Sequence, residues 1–459
     1  MNKESKISVP AAQRQLFLDD YAVAKVENLK RTMHQPRKKG AVIRVNYLAH
    51  PTRTVQTRAA PAWDPESRVF KFWVLGVGTN AGYMESPDGL RWNPGPEMNL
   101  DVWLAVRDPN DPDPARRYKA ALLNCGFAVS PDGIRWTKLD VPAVSSSDEG
   151  NFSFDPKEGL FIHTVKRSGP HGRSVHLVTS RDFATWQDHG LIFCADDLDQ
   201  ELGRQNIQAR LADARLLQPF RNDPAAYNVD VYNMGIFRYE GYYIGMPAVY
   251  HATGPIPNYP NTDGFHLVQL ACSRDLKTWH RLGDRQAFIG PSPVGSGAYD
   301  LTQIIGPSDV VVRGDELWFY YTGLKYRASW RYVGQYPHGE HIRLPGLDPD
   351  QGAICLAVLR RDGFVSMEAG EIEGVLVTKS FAPSGSRLYV NVDAPEGELR
   401  VEVLSRSAKV LATSEPLMGD QPRGQVIWKK GKMRDTKGRK VSLRFRLRNA
   451  HLYSFWLEE

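Results

Sequence analysis

One phrase recurs along the chain and limits what it can become. It reads SPDGLRW at Ser86–Trp92, SPDGIRW at Ser130–Trp136, SRDFATW at Ser180–Trp186 and SRDLKTW at Ser273–Trp279, with a weaker RRDGFVSM at Arg360–Met367. Recurrence on this scale marks a repeated supersecondary unit. Every copy follows a strand-like run (AGYMES, GFAVS, SVHLVTS, LVQLACS, AICLAVL), with further strand-like runs upstream and a Trp- or Phe-led strand after it. In such a turn the short Asp side chain accepts backbone N–H groups, while the Trp packs between sheets. Four strands per repeat, set radially, make a β-propeller blade, and five phrases predict five blades. A β-sandwich that reuses Ser-x-Asp turns is the alternative; the return of Trp with Asp in four copies favours the propeller. Asp88, Asp132, Asp182, Asp275 and Asp362 are therefore expected on blade-edge turns, structural and away from the axis.

The fold class is all-β: a five-bladed propeller followed by a small C-terminal β-sandwich. Residues 1–45 read as a lead-in with one strand, 46–373 as the propeller, and 374–459 as the sandwich, where the Asp-Trp phrase stops and alternating strands run to HLYSFWL. The 39 Gly and 31 Pro are spread over all 459 residues, as many short strands require. A formal charge of +6 without a concentrated basic stripe argues against a nucleic-acid partner. The basic residues from Lys429 to Lys440 read as a solvated hairpin. No apolar run reaches membrane-spanning length, and the N-terminus has no signal-peptide core. As written the chain reads as cytoplasmic, or as secreted or periplasmic if it is a trimmed mature form; the oligomeric state stays open. Four cysteines lack metal or disulfide spacing, and Cys125, Cys272 and Cys355 fall in strand-like runs that read as buried thiols. With neither a metal-ligand motif nor a phosphate-binding loop, no cofactor and no metal are expected.

In a propeller the innermost strands begin beside the axis, so polar residues just before them converge. Blade by blade this nominates Arg107 and Asp108, then Asp148, Glu149 and Asn151, then Asp230 and Tyr232, then Asp300, with Arg58 from the first blade. Several carboxylates around one axis can hold one group protonated as a general acid while another stays ionised, which is what glycoside cleavage needs. Asp108, Asp148, Asp230 and Asp300 are the catalytic candidates. Asp230 and Asp300 are expected to be neighbours, since both precede inner strands of adjacent blades. Arg58, Arg107, Glu149, Asn151, Tyr232 and the loop residue His338 are substrate-binding candidates, with Trp103, Tyr250, Tyr299, Tyr321, Tyr326, His251 and His341 weighed beside them. Asp64 and Asp155 precede Pro and read as hairpin formers, while Asp19 and Asp20 suit an edge turn or a funnel contact equally.

The set LFLDDY, RYK, DVYNMGIFRYEGYYIG, NTDGFHLVQLACSRDLKTWHR, VVVRGDELWFYYTG, DGFVSMEAG and VSLRFRLRNAHLYSFWL resembles bacterial family 32-type glycosyl hydrolase-like proteins, similar in turn to five-bladed propeller glycosidases such as invertases, levanases and arabinanases. The resemblance runs from about Leu16 to the C-terminus. It implies a funnel lined by three acids and a carbohydrate substrate, and Arg107–Pro109 matches the Arg-Asp-Pro segment whose Asp stabilises the transition state in invertase-like enzymes. The chain departs from that pattern in the first blade, where Asn-Asp-Pro-Asn-Gly is absent and Arg53 and Arg58 stand instead. The Glu-Cys pair of the third blade is absent too. Three activities follow: a glycoside hydrolase on a furanoside or other oligosaccharide, a non-catalytic sugar-binding propeller, or a phosphorylase using Arg53, Arg58 and Arg107 for phosphate.

Overall fold

The computed structural model describes residues 7–45, 54–76, 81–256, 261–327, 348, 350–436 and 438–459. Five antiparallel sheets form a ring of blades, and an eleven-stranded sheet curls over its own core beside it. Blade one runs Ala62–Asp64, Val69–Leu75, Ala81–Ser86 and Asn93–Pro94 from inside out, and blade two Ala105–Arg107, Tyr118–Leu122, Gly126–Ser130 and Thr137–Lys138. Blade three comprises Gly150–Asp155, Leu160–Gly169, Gly172–Ser180 and Gln187–Phe193. Blade four comprises Asn228–Tyr239, Tyr242–Pro255, Ala271–Ser273 and His280–Arg281, with Thr262–Val268 added beside its long second strand.

Blades bury both faces against their neighbours, so their strands are apolar in runs and not in strict alternation; VFKFWVL in blade one is an example. Phe72 and Val74 pack on Tyr320 and Leu356 of blade five, Trp73 on Tyr118 and Trp136 of blade two, and Phe127 on Phe152 and Phe183 of blade three. Ile162 and Val175 then meet Val231 and Ile236, and Phe237 and Ile244 meet Phe319 and Leu359, which completes the circle.

Four of the five turn phrases behave alike. At Asp88 the carboxylate accepts N–H bonds from Leu90 at 2.8 Å and Arg91 at 2.9 Å, Ser86 accepts from Gly89, and the Trp92 indole donates to the carbonyl of Gly89. Asp132, Asp182 and Asp275 repeat the two amide bonds. Asp362 differs. Its backbone takes φ +62°, the following strand Val365–Ala369 joins the C-terminal sheet, and the carboxylate is buried where ring and sheet meet. There it accepts from Arg14 at 2.6 Å, Tyr239 at 2.6 Å, Ser454 at 2.6 Å and Asn391 at 3.2 Å.

The missing outer strand of blade five comes from the other end of the chain. Gln303–Ile305, Glu316–Leu324 and Gly352–Arg360 are completed by Arg37–Arg44, which pairs with the third strand from Arg37↔Val358 to Arg44↔Ala353. The residues before it are woven into the C-terminal sheet: Gln15–Leu16 pairs with Ala450–Glu458, Val23–Glu27 with Gly374–Thr378, and Lys30–Met33 with Val365–Ala369. Asp19 sits at this junction, bound by Arg274 and Tyr242, and Asp20 is exposed beside Arg31. Cys272 and Cys355 are buried, whereas Cys125 is exposed, because it lies in the turn ahead of Gly126–Ser130 and not within a strand.

Candidate active site

The start of each inner strand faces the axis, and there the structure links blades that are distant in sequence. Arg58, ahead of the blade-one inner strand, donates Nε and Nη2 to the two oxygens of Glu149, both at 2.6 Å, and both residues are buried. A two-point guanidinium–carboxylate bond fixes the plane of both groups. Asn233 of blade four reaches the same Glu149 oxygen at 3.4 Å. Asn151 donates to Ser308 of blade five at 3.1 Å and to the carbonyl of Arg58 at 3.4 Å.

A break in strand pairing shapes the next layer. In blade four Val231 lies opposite Val249 and Asn233 opposite Ala248, so Tyr232 is the extra residue of a β-bulge. Bulges re-aim a side chain out of the regular pleat. The Tyr232 ring faces Lys166 Nζ at 4.3 Å, the Arg173 guanidinium at 5.1 Å, the Arg327 guanidinium at 5.8 Å and the His266 ring at 5.0 Å. Tyr250 forms a second wall, 4.5 Å from Arg173, 5.0 Å from Arg327 and 4.9 Å from His266.

Asp230, directly opposite Tyr250 in the pairing, is buried and accepts Arg173 Nε on Oδ2 at 2.7 Å. Oδ1 is also buried and has no partner among the described residues. Burial raises this carboxyl above its ordinary value, and Arg173 offsets only part of that. The approach is close because residue 172 is glycine at φ +112°; a Cβ there would stand 3.2 Å from Oδ2. Asp148 pairs with Lys166, and its side chain is 68% exposed. His266 is fully buried with both ring nitrogens unpartnered among the described residues, and burial together with Arg327 and Arg173 pushes it well below the usual imidazole range. The side-chain oxygens of Asn151 and Asn233 are likewise buried without a donor. Unmet buried polar groups cost free energy, so a cluster of them marks where a polar ligand or ordered water belongs.

Glu149, Asn151, Arg58, Asp230, Tyr232 and Asp148 thus come together. The other candidates lie elsewhere. Asp108 follows the inner strand Ala105–Arg107 and does not precede it, and it accepts Lys119 Nζ at 2.7 Å and the N–H of Asn110. Its placement repeats Asp64, which binds Lys71 and the N–H of Glu66, and Asp155, which binds Tyr243 and the N–H of Lys157. All three are Asp-Pro turns at the exit end of an inner strand. That shared dipeptide was the available signal for placing Asp108 with the turns. Arg107 ends its strand and lines an exit-end cavity of about 260 Å³ with Trp63, Phe152, Phe154, Pro156 and Asp309.

Asp300 does not neighbour Asp230. The blade-five inner strand begins only at Gln303, and the Asp300 carboxylate turns toward the outer strands, accepting Tyr321 at 2.8 Å and Lys38 of the ring-closing strand at 2.7 Å. His251 stacks on Phe265 at 4.8 Å and meets Asn206 of the helix Asp197–Ala212, so it serves the packing of blade four. Tyr299 binds Asp350, Tyr326 lies beside Phe220, and Trp103 packs between blades two and three. Arg53, His338 and His341 lie outside the described residues. Lys166, Asn233 and His266 escaped the sequence reading because strand interiors carry no polar signal unless the register and its bulge are known, and Arg173 and Arg327 because they stand at or beyond strand ends with no motif around them.

No protein-family model matches the chain, and no curated protein matches its sequence. Solved structures with a similar arrangement include one described as a glycoside hydrolase, 12% identical over 71% of this chain and 92% of its own, with a TM-score of 0.41. A β-fructofuranosidase from Schwanniomyces occidentalis is 10% identical over 92% of this chain and 98% of its own, at 0.38. A family 43 arabinoxylan arabinofuranohydrolase from Bacillus subtilis is 9% identical over 92% of this chain and 99% of its own, at 0.36.

Proposed function

We propose that the chain is a glycosidase acting on a furanoside or other oligosaccharide at the entry end of the axis, with Asp230 as the general acid. The observation that carries this reading is the Asp230 carboxyl: buried, raised by burial, oriented through Oδ2 by Arg173, and left with an Oδ1 that has no partner among the described residues. A protonated carboxyl so placed delivers its proton to a leaving oxygen. Asp148, exposed and paired with Lys166, is the carboxylate for attack or water activation, and Glu149, locked by Arg58, holds the floor of the site. Asp300 and Asp108, each committed to a lysine, have no part in the reaction. Arg58 and Arg107 serve opposite ends of the inner strands, which gives a phosphate no common seat between them.

The test is Asp230→Asn assayed on a panel of aryl glycosides and oligosaccharides. Turnover is expected to fall by about a hundredfold or more, the scale of a positioned acid, with the melting temperature nearly unchanged. An Asp230→Asn protein that keeps the wild-type rate removes Asp230 from the reaction. The Arg58–Glu149 pair favours a second reading, a propeller that binds sugar without cleaving it, since it commits one axial carboxylate to a guanidinium. Calorimetric sugar binding with no product formed by the wild-type protein would select it.

A further inference from the structure

Three cations meet at one tyrosine at the entry end. Lys166 comes from the second strand of blade three, Arg173 from the third, and Arg327 from beyond the second strand of blade five, yet all three face Tyr232. Arg173 gives Nε to Asp230, and its Nη1 and Nη2 make no hydrogen bond to the described residues. When Asp230 carries the proton that the glycosidase reading requires, Arg173 faces no anion in that pair. Lys166 is matched to Asp148, but that acid is 68% exposed and can turn to water when another anion takes its place. The remaining acids are held: Glu149 by both arms of Arg58, and Asp263 by the N–H groups of Arg221 and Gly264 with the Arg327 charge nearby. The Tyr232 side chain lies against the same cations and brings a hydroxyl donor to them.

We propose that this cluster selects a glycoside carrying its own oxyanion, the carboxylate of a uronic acid residue, gripped by the Arg173 fork with Lys166 and the Tyr232 hydroxyl as further donors. A guanidinium with two free terminal nitrogens matches a carboxylate in two parallel bonds, which a neutral hydroxymethyl group cannot reproduce. The Tyr232 and Tyr250 rings flank the Arg173 guanidinium and hold its plane in place. The inference rests on the glycosidase reading and narrows its substrate class. Free inorganic phosphate offers the same oxyanion chemistry, so the test includes it.

The experiment titrates the full chain by calorimetry with D-glucuronate, D-galacturonate, D-glucose, D-galactose and inorganic phosphate, at low and high salt. At least one sugar acid is expected to bind about tenfold or more tightly than its neutral counterpart, with the gap narrowing in high salt. Arg173→Gln and Lys166→Gln are each expected to close most of that gap, and Arg173→Lys to restore only part of it, because it keeps charge without the fork. Melting curves identify any variant that is not folded, and the salt dependence of the wild-type protein then decides alone. Equal binding of acid and neutral sugars, or no binding of either sugar acid, overturns the proposal. Phosphate binding without preference among the sugars overturns it as well, assigning the cluster to a free ion. Cleavage of a neutral aryl furanoside with no acid preference defeats this inference and leaves the glycosidase reading intact.

Discussion

The two ends of the same inner strands use similar residues to opposite purpose. At the exit end, Asp64 binds Lys71 and Asp108 binds Lys119, and each carboxylate also takes an N–H two residues on. These partners are close in sequence, and the turn is complete in itself. At the entry end, Arg58 of blade one reaches Glu149 of blade three, Arg173 of blade three reaches Asp230 of blade four, and buried acceptors are left over. A charged group answered within its own hairpin is architecture. One answered only from another blade, with an atom unspent, is where a ligand can enter.

Removing a partner from the cross-blade lock should give the largest effect on stability. Glu149→Ala leaves the Arg58 guanidinium buried without a counter-charge, and a loss of about 3–5 kcal/mol is expected in urea denaturation. A loss below about 1 kcal/mol would mean that the lock does not hold the entry end together.

The exit end has one group that breaks its pattern of satisfied turns. Burial pushes the Asp309 carboxyl up to about 7, with the N–H of Val310 opposing and Asp155 adding to the rise. A carboxyl whose value is higher in the folded chain than in the unfolded chain favours folding most when protonated. Stability from this group is therefore full below about pH 4 and is lost as pH rises to about 7. Asp309→Asn, which does not titrate, is expected to match the wild type at low pH and to exceed it above neutrality by roughly 2–4 kcal/mol. Equal pH profiles from thermal melts of the two proteins would place Asp309 in contact with solvent.

The smallest effect belongs to the blade-edge turns. Asp132→Ala removes the acceptor for the N–H groups of Ile134 and Arg135, both of which can turn to water. A loss of about 1 kcal/mol is expected in denaturation, with activity per folded molecule unchanged. A larger loss, or a change in KM, would show that these turns reach the axis.

The contrast also explains what the sequence could convey. The turn phrase disclosed the blades because its physics is local: Asp88 and Trp92 complete their bonds within seven residues. Glu149, Asn151, Asp230 and Tyr232 were accessible because they sit at the start of inner strands, a position that the repeat itself defines. Asp300 misled because the inner strand of blade five starts at Gln303, and a shift of a few residues turned the carboxylate toward Lys38. Asp362 carries the turn phrase yet meets Arg14, Asn391 and Ser454, all far away in sequence, and nothing near it announces them. The bulge at Tyr232 and the cations it faces depend on strand register, which residue order alone does not specify.

The strand Arg37–Arg44 closes the ring, and the segment just before it lies within the C-terminal sheet. During synthesis those early residues emerge first and find their partners last, since Gly352–Arg360 and Ala450–Glu458 are made near the end. Until blade five is made the blades form an open arc, and the blade-one face that Tyr320 and Leu356 of blade five later cover stays wet. The closing contacts span most of the chain, the kind of topology that folds slowly. Completion of the ring is thus a late event in time, and the entry-end site, which draws on blades one, three, four and five, is assembled only when blade five joins blade one.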